Sequence, residues 1–365
     1  MRKILFFIPT LGGGGAEKVL INLVNNLDFK KYDVTVQTLF DYGINKQYLS
    51  EKIKYRYFLK KVFRANIYIL KLFSPKFLFK KVIKEEYDII VSYLEGPTTR
   101  IVSGCNNKNT RLFNWVHTEL KDIREFKKTY RSLKEMKKCY SKFEKTIFVS
   151  NEAEEAFKKI VNVNSQVIRN IIDVNDICNK ANESVNETIM QDKKIKIITL
   201  GRLIKVKGYD RLLRIHKKLI EEGINHSLYI LGEGNERIKL EQYIKKNNLE
   251  NSVILLGFQS NPYKYLKEAD IYVCSSYKEG YNTAVIEAII LGKPVVTTDC
   301  SGMKSILEDG KYGIITNNDE HELYKFLKKM ILDVEYREKF KKLSEERKKH
   351  FNINNQIMEL YNLFE

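Results

Sequence analysis

Short apolar runs alternate with amphipathic stretches along almost the whole chain. Runs at 3–8, 34–39, 89–92, 112–116 and 146–150 are rich in Ile, Val, Leu and Phe, and turn-forming residues bound them. They predict strands buried on both faces. Helical spacing is predicted at 16–27, 98–105, 120–140 and 151–160. A second series predicts strands at 195–200, 228–231, 253–256, 271–274, 295–298 and 313–315, with helices between them such as 209–222 and 237–247. Strand–helix alternation with apolar strands predicts an α/β class built on parallel sheets. The pattern repeats in kind and not in sequence, so two α/β domains are expected rather than a solenoid. The polar, Asn-rich stretch 173–194 predicts a linker between domains at 1–172 and 190–350. Beyond residue 316 the chain reads as charged helices, closed by an apolar-studded helix within 352–365.

Composition narrows this picture. A chain of 365 residues with 43% hydrophobic residues and only 5 Pro can bury two cores and is not disordered. No uncharged apolar stretch is long enough to span a bilayer. The run after Arg2 and Lys3 contains Pro9 and leads into an amphipathic helix, which predicts a first strand rather than a leader peptide and a cytoplasmic location. Five widely spaced cysteines without a C-x-x-C predict neither a disulfide framework nor a zinc site.

Charge is unevenly placed. Residues 1–170 carry 33 Lys and Arg against 17 Asp and Glu, whereas residues 171–365 carry 31 against 29. The first half is therefore expected to meet an anionic partner. Its densest stretch, Lys52 to Lys84, holds eleven Lys and Arg and no acid, interleaved with Tyr55, Tyr57, Phe58, Phe63, Tyr68, Phe73, Phe77 and Phe79. It reads either as an interfacial helix pair on an anionic membrane or as a solvated Lys-rich helix whose aromatics face the core. The stretch 121–145 is a weaker basic candidate, better read as a solvated face.

The chemistry concentrates at strand ends. Glu279 lies in a glycine-containing turn, Asn282 reads as a helix N-cap, and Glu287 falls eight residues beyond Glu279 inside the helix predicted at 283–291. A helix N-terminus attracts anions through its free N–H groups and its dipole. A diphosphate there would have a carboxylate on either side, which suits a sugar nucleotide with hydroxyl-rich groups at both ends. Gly201, Arg202, Lys207 and Gly208 follow strand 195–200, where open α/β sheets place ligands. Arg offers a bidentate fork to phosphate and Lys a point charge. Gly232 and Gly234, then Gly257 and Phe258, mark the next strand ends. The glycines permit close backbone contact to a nucleotide, and Phe258 serves either to stack on a base or in a core or hinge role. Gly12 to Gly15 follow the first strand, but Glu17 and Lys18 break the dinucleotide fingerprint and no Walker A loop is present. His117 ends strand 112–116 beside Glu119. No D-x-D triplet exists to hold a metal, and Arg202, Lys207 and the helix N-terminus can neutralise a diphosphate, so neither a metal nor another cofactor is expected.

These residues resemble, in order and spacing, the retaining GT-B glycosyltransferases of family 4, the bacterial group 1 enzymes. The likeness spans nearly the full length: Gly14 to Glu17, Asn114 to His117, Val149 and Ser150, Arg169 to Asp173, Gly201 to Gly208, the Glu279/Glu287 pair, and Gly292 to Val296. It implies two Rossmann-like domains with parallel sheets facing a cleft, and a last helix crossing back to the N-domain. It implies that Gly14 and Gly15 approach the donor from the N-domain, and that Arg202 and Lys207 bind the diphosphate. Glu279 would hold hydroxyls of the transferred sugar. Gly280, Tyr281, Asn282 and Thr283 would present backbone N–H groups to the β-phosphate, Glu287 would accept from the ribose, and His117 would lie at the acceptor side. Ile171 stands where the family commonly has Gly, and Asn282 and Thr283 where smaller or apolar residues are common.

With no glycosidase-type pair of carboxylates, the expected chemistry is front-face transfer with retention, the leaving phosphate taking the acceptor proton. The expected substrates are a UDP-hexose and a lipid-linked saccharide acceptor in surface polysaccharide assembly, at the inner face of the plasma membrane. A sugar-nucleotide epimerase of the same fold, or a basic nucleic-acid-binding protein, are the alternatives. The positive charge is tied to no nucleic-acid motif, so a nucleic-acid partner is not expected. The missing fingerprint argues against an NAD oxidoreductase.

Overall fold

The computed structural model describes residues 1–62, 66–119, 128–185, 190 and 193–365. The chain forms two compact units, one of residues 1–172 with 353–365 and one of residues 173–352.

The first unit runs β1 (Arg2–Ile8), α1 (Gly15–Asn25), β2 (Tyr32–Phe40), β3 (Lys54–Leu59), α2 (Asn66–Leu72), α3 (Pro75–Val82), β4 (Ile89–Ser92), α4 (Pro97–Val102), β5 (Arg111–Val116), α5 (Leu133–Tyr140), β6 (Lys145–Phe148), α6 (Asn151–Lys158) and β7 (Ser165–Val167). Its sheet is parallel in the order β3-β2-β1-β4-β5-β6-β7. The second unit runs α7 (Val174–Ala181), β8 (Ile195–Leu200), α8 (Tyr209–Glu221), β9 (His226–Leu231), α9 (Arg237–Lys246), β10 (Val253–Gly257), α10 (Tyr263–Glu268), β11 (Ile271–Cys274), α11 (Thr283–Ile290), β12 (Val295–Thr298), α12 (Met303–Leu307), β13 (Ile314–Thr316), α13 (Glu320–Leu332) and α14 (Val334–Lys348). Its parallel sheet has the order β10-β9-β8-β11-β12-β13. In each sheet the first strand of the unit lies inside, so the order in which successive parallel strands are added changes side between β1 and β4 and between β8 and β11. Ligands of open α/β sheets lie beyond the strand C-termini at such points.

The last helix, α15 (Ile353–Phe364), belongs to the first unit. Its Ile357, Leu360, Leu363 and Phe364 are buried, and the Phe364 ring meets Phe6, Phe113 and Tyr32.

Three expectations are corrected. β3 occupies the start of the basic segment, so that segment is an edge strand followed by two short helices and not a helix pair throughout. The polar stretch 173–194 opens as helix α7, because Asp173 Oδ1 accepts from Asp176 N at 2.9 Å and Ile177 and Ala181 turn inward. The helix expected at 120–140 is not continuous: residues 128–132 form turns and a helix runs over Leu133–Tyr140, capped by Ser132, while residues 120–127 lie outside the described residues.

Two histidines sit in the core of the second unit. The His216 and His226 rings meet edge to face at 4.5 Å. The Ser252 hydroxyl donates to Leu249 O, so His216 Nε2–H donates to Ser252 Oγ at 2.8 Å, and His226 Nδ1–H donates to Ile224 O at 2.9 Å. Their other nitrogens are buried without a partner. Burial pushes His216 down to about 3, with His226 adding to the effect, and lowers His226 as well. Unfolding frees both rings to take up protons below their ordinary value near 6.5, so the folded unit loses stability as pH falls from there toward 3. The expected loss between pH 7 and 5 is about 2 kcal/mol for His216. Thermal unfolding across that range checks it, and His216→Gln should flatten the slope.

Candidate active site

In the second unit the loops after β8, β9 and β10 are laced by backbone hydrogen bonds. Gly201 N donates to Leu231 O, Leu203 N to Glu233 O, Glu236 N to Leu203 O and Gly232 N to Gly257 O, at 2.8–2.9 Å. Gly232 has φ +142°, and a Cβ there would run into the Gly201 carbonyl; at Gly234 it would meet the backbone of Leu203. These two glycines therefore let neighbouring loops close on each other, and only their backbone groups remain for a ligand.

Lys207 ends a 3-10 turn (Lys205–Lys207), and Gly208, in the left-handed region at φ +66°, turns the chain into α8. The Lys207 ammonium reaches Glu279, 72 residues later, with its Nζ at 2.8 and 3.0 Å from the two carboxylate oxygens. Glu279 Oε1 also accepts from the Ser276 hydroxyl at 2.5 Å and from Asn282 Nδ2 at 3.1 Å. The Glu279 side chain is only 9% exposed, so this saturation is what makes its charge tolerable. Asn282 works in two directions: its amide donates to Glu279, and its Oδ1 caps α11 by accepting from Ala284 N and Val285 N. The turn at Gly280 and Tyr281 packs against Gly302 in the loop after β12, where a Cβ would crowd the Tyr281 ring. Cys274 and Cys300 lie beside this group. Burial raises both thiols, Cys300 to about 12, so they stay protonated and donate to Ser276.

Arg211, which sequence reasoning missed, holds this loop from below. Its buried guanidinium donates to Ser275 O at 2.7 Å, Ser276 O at 2.6 Å and Asn318 Oδ1 at 2.8 Å, and it lies 4.2 Å from the Tyr277 ring centroid. The other expected residues of the second unit have different environments. Arg202 is exposed and Phe258 is 52% exposed. Glu287 is buried in α11 and accepts from the Tyr263 hydroxyl at 3.3 Å. Thr283 opens α11 and is half-buried.

The first unit carries the other expected residues. Gly14 caps α1 in extended conformation, with no side-chain cap, and Gly15 is the helix's first residue. The preceding loop is pinned by Asn45, whose side chain donates to Gly12 O and whose N–H donates to Leu11 O. His117 follows β5 with its ring beside Tyr93 at 4.8 Å and Trp115 at 6.3 Å. Its Nε2 is buried without a partner. Burial pushes the ring down to about 3, so it is neutral at physiological pH. Glu95 is a further acid that the sequence reading did not single out. It accepts from His117 N at 2.9 Å and from the Thr118 hydroxyl at 2.5 Å. An acid in the Leu94-Glu95-Gly96-Pro97 turn directly after a strand was the available signal. Among the described residues no three His, Cys, Asp or Glu side chains gather as a metal cage.

The two folds are those of the GT-B glycosyltransferases. The structure of HepE from Anabaena, solved with UDP and glucose, superposes with a TM-score of 0.79, covering 100% of this chain and 99% of that one at 19% identity. The family follows from the sequence itself. Residues 13–176 match the model described as Glycosyltransferase Family 4, and residues 181–347 the model described as Glycosyl transferases group 1. The chain belongs to the group 1 glycosyltransferases of family 4. It is 28% identical, over 96% of both chains, to the N-acetylgalactosamine-N,N'-diacetylbacillosaminyl-diphospho-undecaprenol 4-alpha-N-acetylgalactosaminyltransferase of Campylobacter jejuni. It is 25% identical, over 88% of both, to the amylovoran biosynthesis glycosyltransferase AmsD of Erwinia amylovora.

Proposed function

We infer that this glycosyltransferase moves a hexose from a nucleotide sugar, a UDP-hexose, to a lipid-linked saccharide acceptor in surface polysaccharide assembly, with retention and without a metal. The observation that carries the reading is the Lys207–Glu279 group, a cation and a carboxylate fixed side by side at the strand C-termini of the second unit. Breaking an anomeric C–O bond builds negative charge on the departing diphosphate and positive charge on the sugar. Lys207 and Arg202 would stabilise the first, and Glu279 would orient sugar hydroxyls near the second. The backbone N–H groups at residues 280–283 would receive the β-phosphate, and Glu287 the ribose. Gly234 and Phe258 would border the nucleoside, and Gly14 and Gly15 would approach the donor from the first unit. His117, neutral and with Nε2 unpaired, would serve as a hydrogen-bonding partner of a sugar hydroxyl rather than as a base.

Support for the substrates comes from the relatives. The HepE structure holds UDP and glucose, and the Campylobacter enzyme's name specifies an undecaprenol-linked acceptor. A lipid-linked acceptor places the enzyme at the cytoplasmic membrane face, reached through the basic segment 52–84. No helix among the described residues is long and apolar enough to cross a membrane.

The test is a thermal-shift screen with UDP, GDP, ADP and their common sugars, with and without EDTA. A stabilising shift with UDP and a UDP-hexose, unchanged by EDTA, is expected. Arg202→Ala should weaken UDP binding about tenfold or more, the worth of a charge-assisted hydrogen bond to phosphate. A shift confined to another base refutes the UDP assignment, and a shift lost in EDTA refutes metal independence.

A further inference from the structure

The basic segment divides in two. In the strand part, cations pair with acids from outside it: Lys54 with Asp33 at 2.6 Å and Arg56 with Glu85 at 2.5 Å. Tyr55 turns inward, its hydroxyl donating to Asp41 at 2.8 Å. The helical part is different. Among the described residues no carboxylate pairs with Lys76, Lys80 or Lys81, which are exposed on and beside α3. Around them stand Tyr68, 60% exposed, Leu72, 75% exposed, and the exposed Ile69, Phe73 and Phe77. The Phe73 and Phe77 rings stack at 5.1 Å, which fixes them as one apolar surface.

That surface is held out by a specific device. α2 has seven residues, too short to be stable alone, and its last carbonyls are the groups a helix leaves unsatisfied. Two guanidinium groups take the carbonyls of four consecutive residues. Arg100, 1% exposed, donates to Leu70 O and Phe73 O at 2.8 Å. Arg131 donates to Lys71 O at 2.6 Å and Leu72 O at 2.8 Å. Glu135 organises both: it accepts from Arg100 Nη2 at 2.8 Å through Oε1 and from Arg131 N at 2.6 Å through Oε2. Two positive charges at a helix C-terminus also suit its dipole.

We propose that the α2–α3 hairpin is the element that enters the interface of an anionic bilayer, and that Arg100, Arg131 and Glu135 clamp α2 so that Tyr68, Ile69, Leu72 and Phe73 face the lipid. Apolar side chains flanked by unpaired lysines match the two layers of such an interface, acyl chains beneath anionic headgroups. The inference deepens the membrane part of the proposed function and rests on it. It is independent of the donor nucleotide.

The experiment is co-sedimentation of the full chain with phosphatidylcholine vesicles, with and without phosphatidylglycerol, at low and high salt. The wild type should bind only the anionic vesicles and be released by salt. Leu72→Ser with Phe73→Ser, both exposed, should weaken binding about tenfold while leaving thermal unfolding unchanged. Arg131→Gln, also at the surface, should weaken it several-fold by freeing two carbonyls. A wild type that ignores anionic vesicles overturns the membrane reading and this inference together. Wild-type binding that survives the Leu72/Phe73 change overturns the hairpin assignment alone. Unchanged binding by Arg131→Gln overturns the clamp.

Discussion

Lys207→Ala is expected to lower turnover by about 10²–10³-fold while the chain stays folded, the scale on which a preorganised charge at a departing group counts. The geometry makes two losses inseparable. Lys207 would contribute a cation to the diphosphate, and it contacts both oxygens of Glu279. Without it, a carboxylate that is 9% exposed keeps only the Ser276 hydroxyl and the Asn282 amide. Lys207→Arg is not a mild change, because a broad planar guanidinium needs more room than the compact, largely buried ammonium it would replace. Glu279→Gln removes the charge and leaves a side chain that still accepts from Ser276. A double-mutant cycle of Lys207→Ala and Glu279→Gln on kcat/KM measures the coupling. A double variant no slower than the slower single one is expected if the pair acts as a unit. Multiplicative losses would show two independent roles, and near-normal turnover by folded Lys207→Ala would remove Lys207 from the chemistry.

The sequence shows most strands of the second unit well because they are short runs rich in apolar residues stopped by Gly, Asp or Ser. Its strands Ile195–Leu200, Ile271–Cys274 and Val295–Thr298 have the expected bounds. Edge strands are harder to see. Lys54–Leu59 alternates cation and aromatic over only four residues and is mostly exposed, so its period-2 signal is lost inside a long basic segment. Ser165–Val167 is three residues long and gives no period at all. At the site, the residues after strand ends are visible, since turns there need Gly and bear charge. Their partnerships are not. Arg211 looks like one more surface cation of a helix, and its role exists only because carbonyls 64 and 65 residues away fold over it. Glu95 is hidden in the same way, because its partners come from the turn after the next strand.

Phe364→Ala is expected to destabilise the first unit by about 3–5 kcal/mol, the cost of emptying a fully buried aromatic site. The residue is the second from the end of the chain, where a truncation is ordinarily harmless. The Phe364 ring is wholly buried among Phe6, Phe113 and Tyr32, residues of β1, β5 and β2. Its carbonyl accepts from Arg2 and Arg111 at 2.6 Å, and Arg111 is itself held by both oxygens of Glu144. The last helix is thus a piece of the first unit's core that arrives after the whole second unit has been made. The chain's single tryptophan, Trp115, is buried in that same unit, 5.0 Å from Tyr93. Its emission therefore follows the first unit's unfolding selectively, whereas far-ultraviolet circular dichroism follows both. In urea the tryptophan midpoint of Phe364→Ala should fall by about 1.5–2.5 M for a slope of about 2 kcal/mol/M, with the nucleotide-dependent thermal shift of the second unit retained. An unmoved tryptophan midpoint would mean that the helix docks on a core already complete without it.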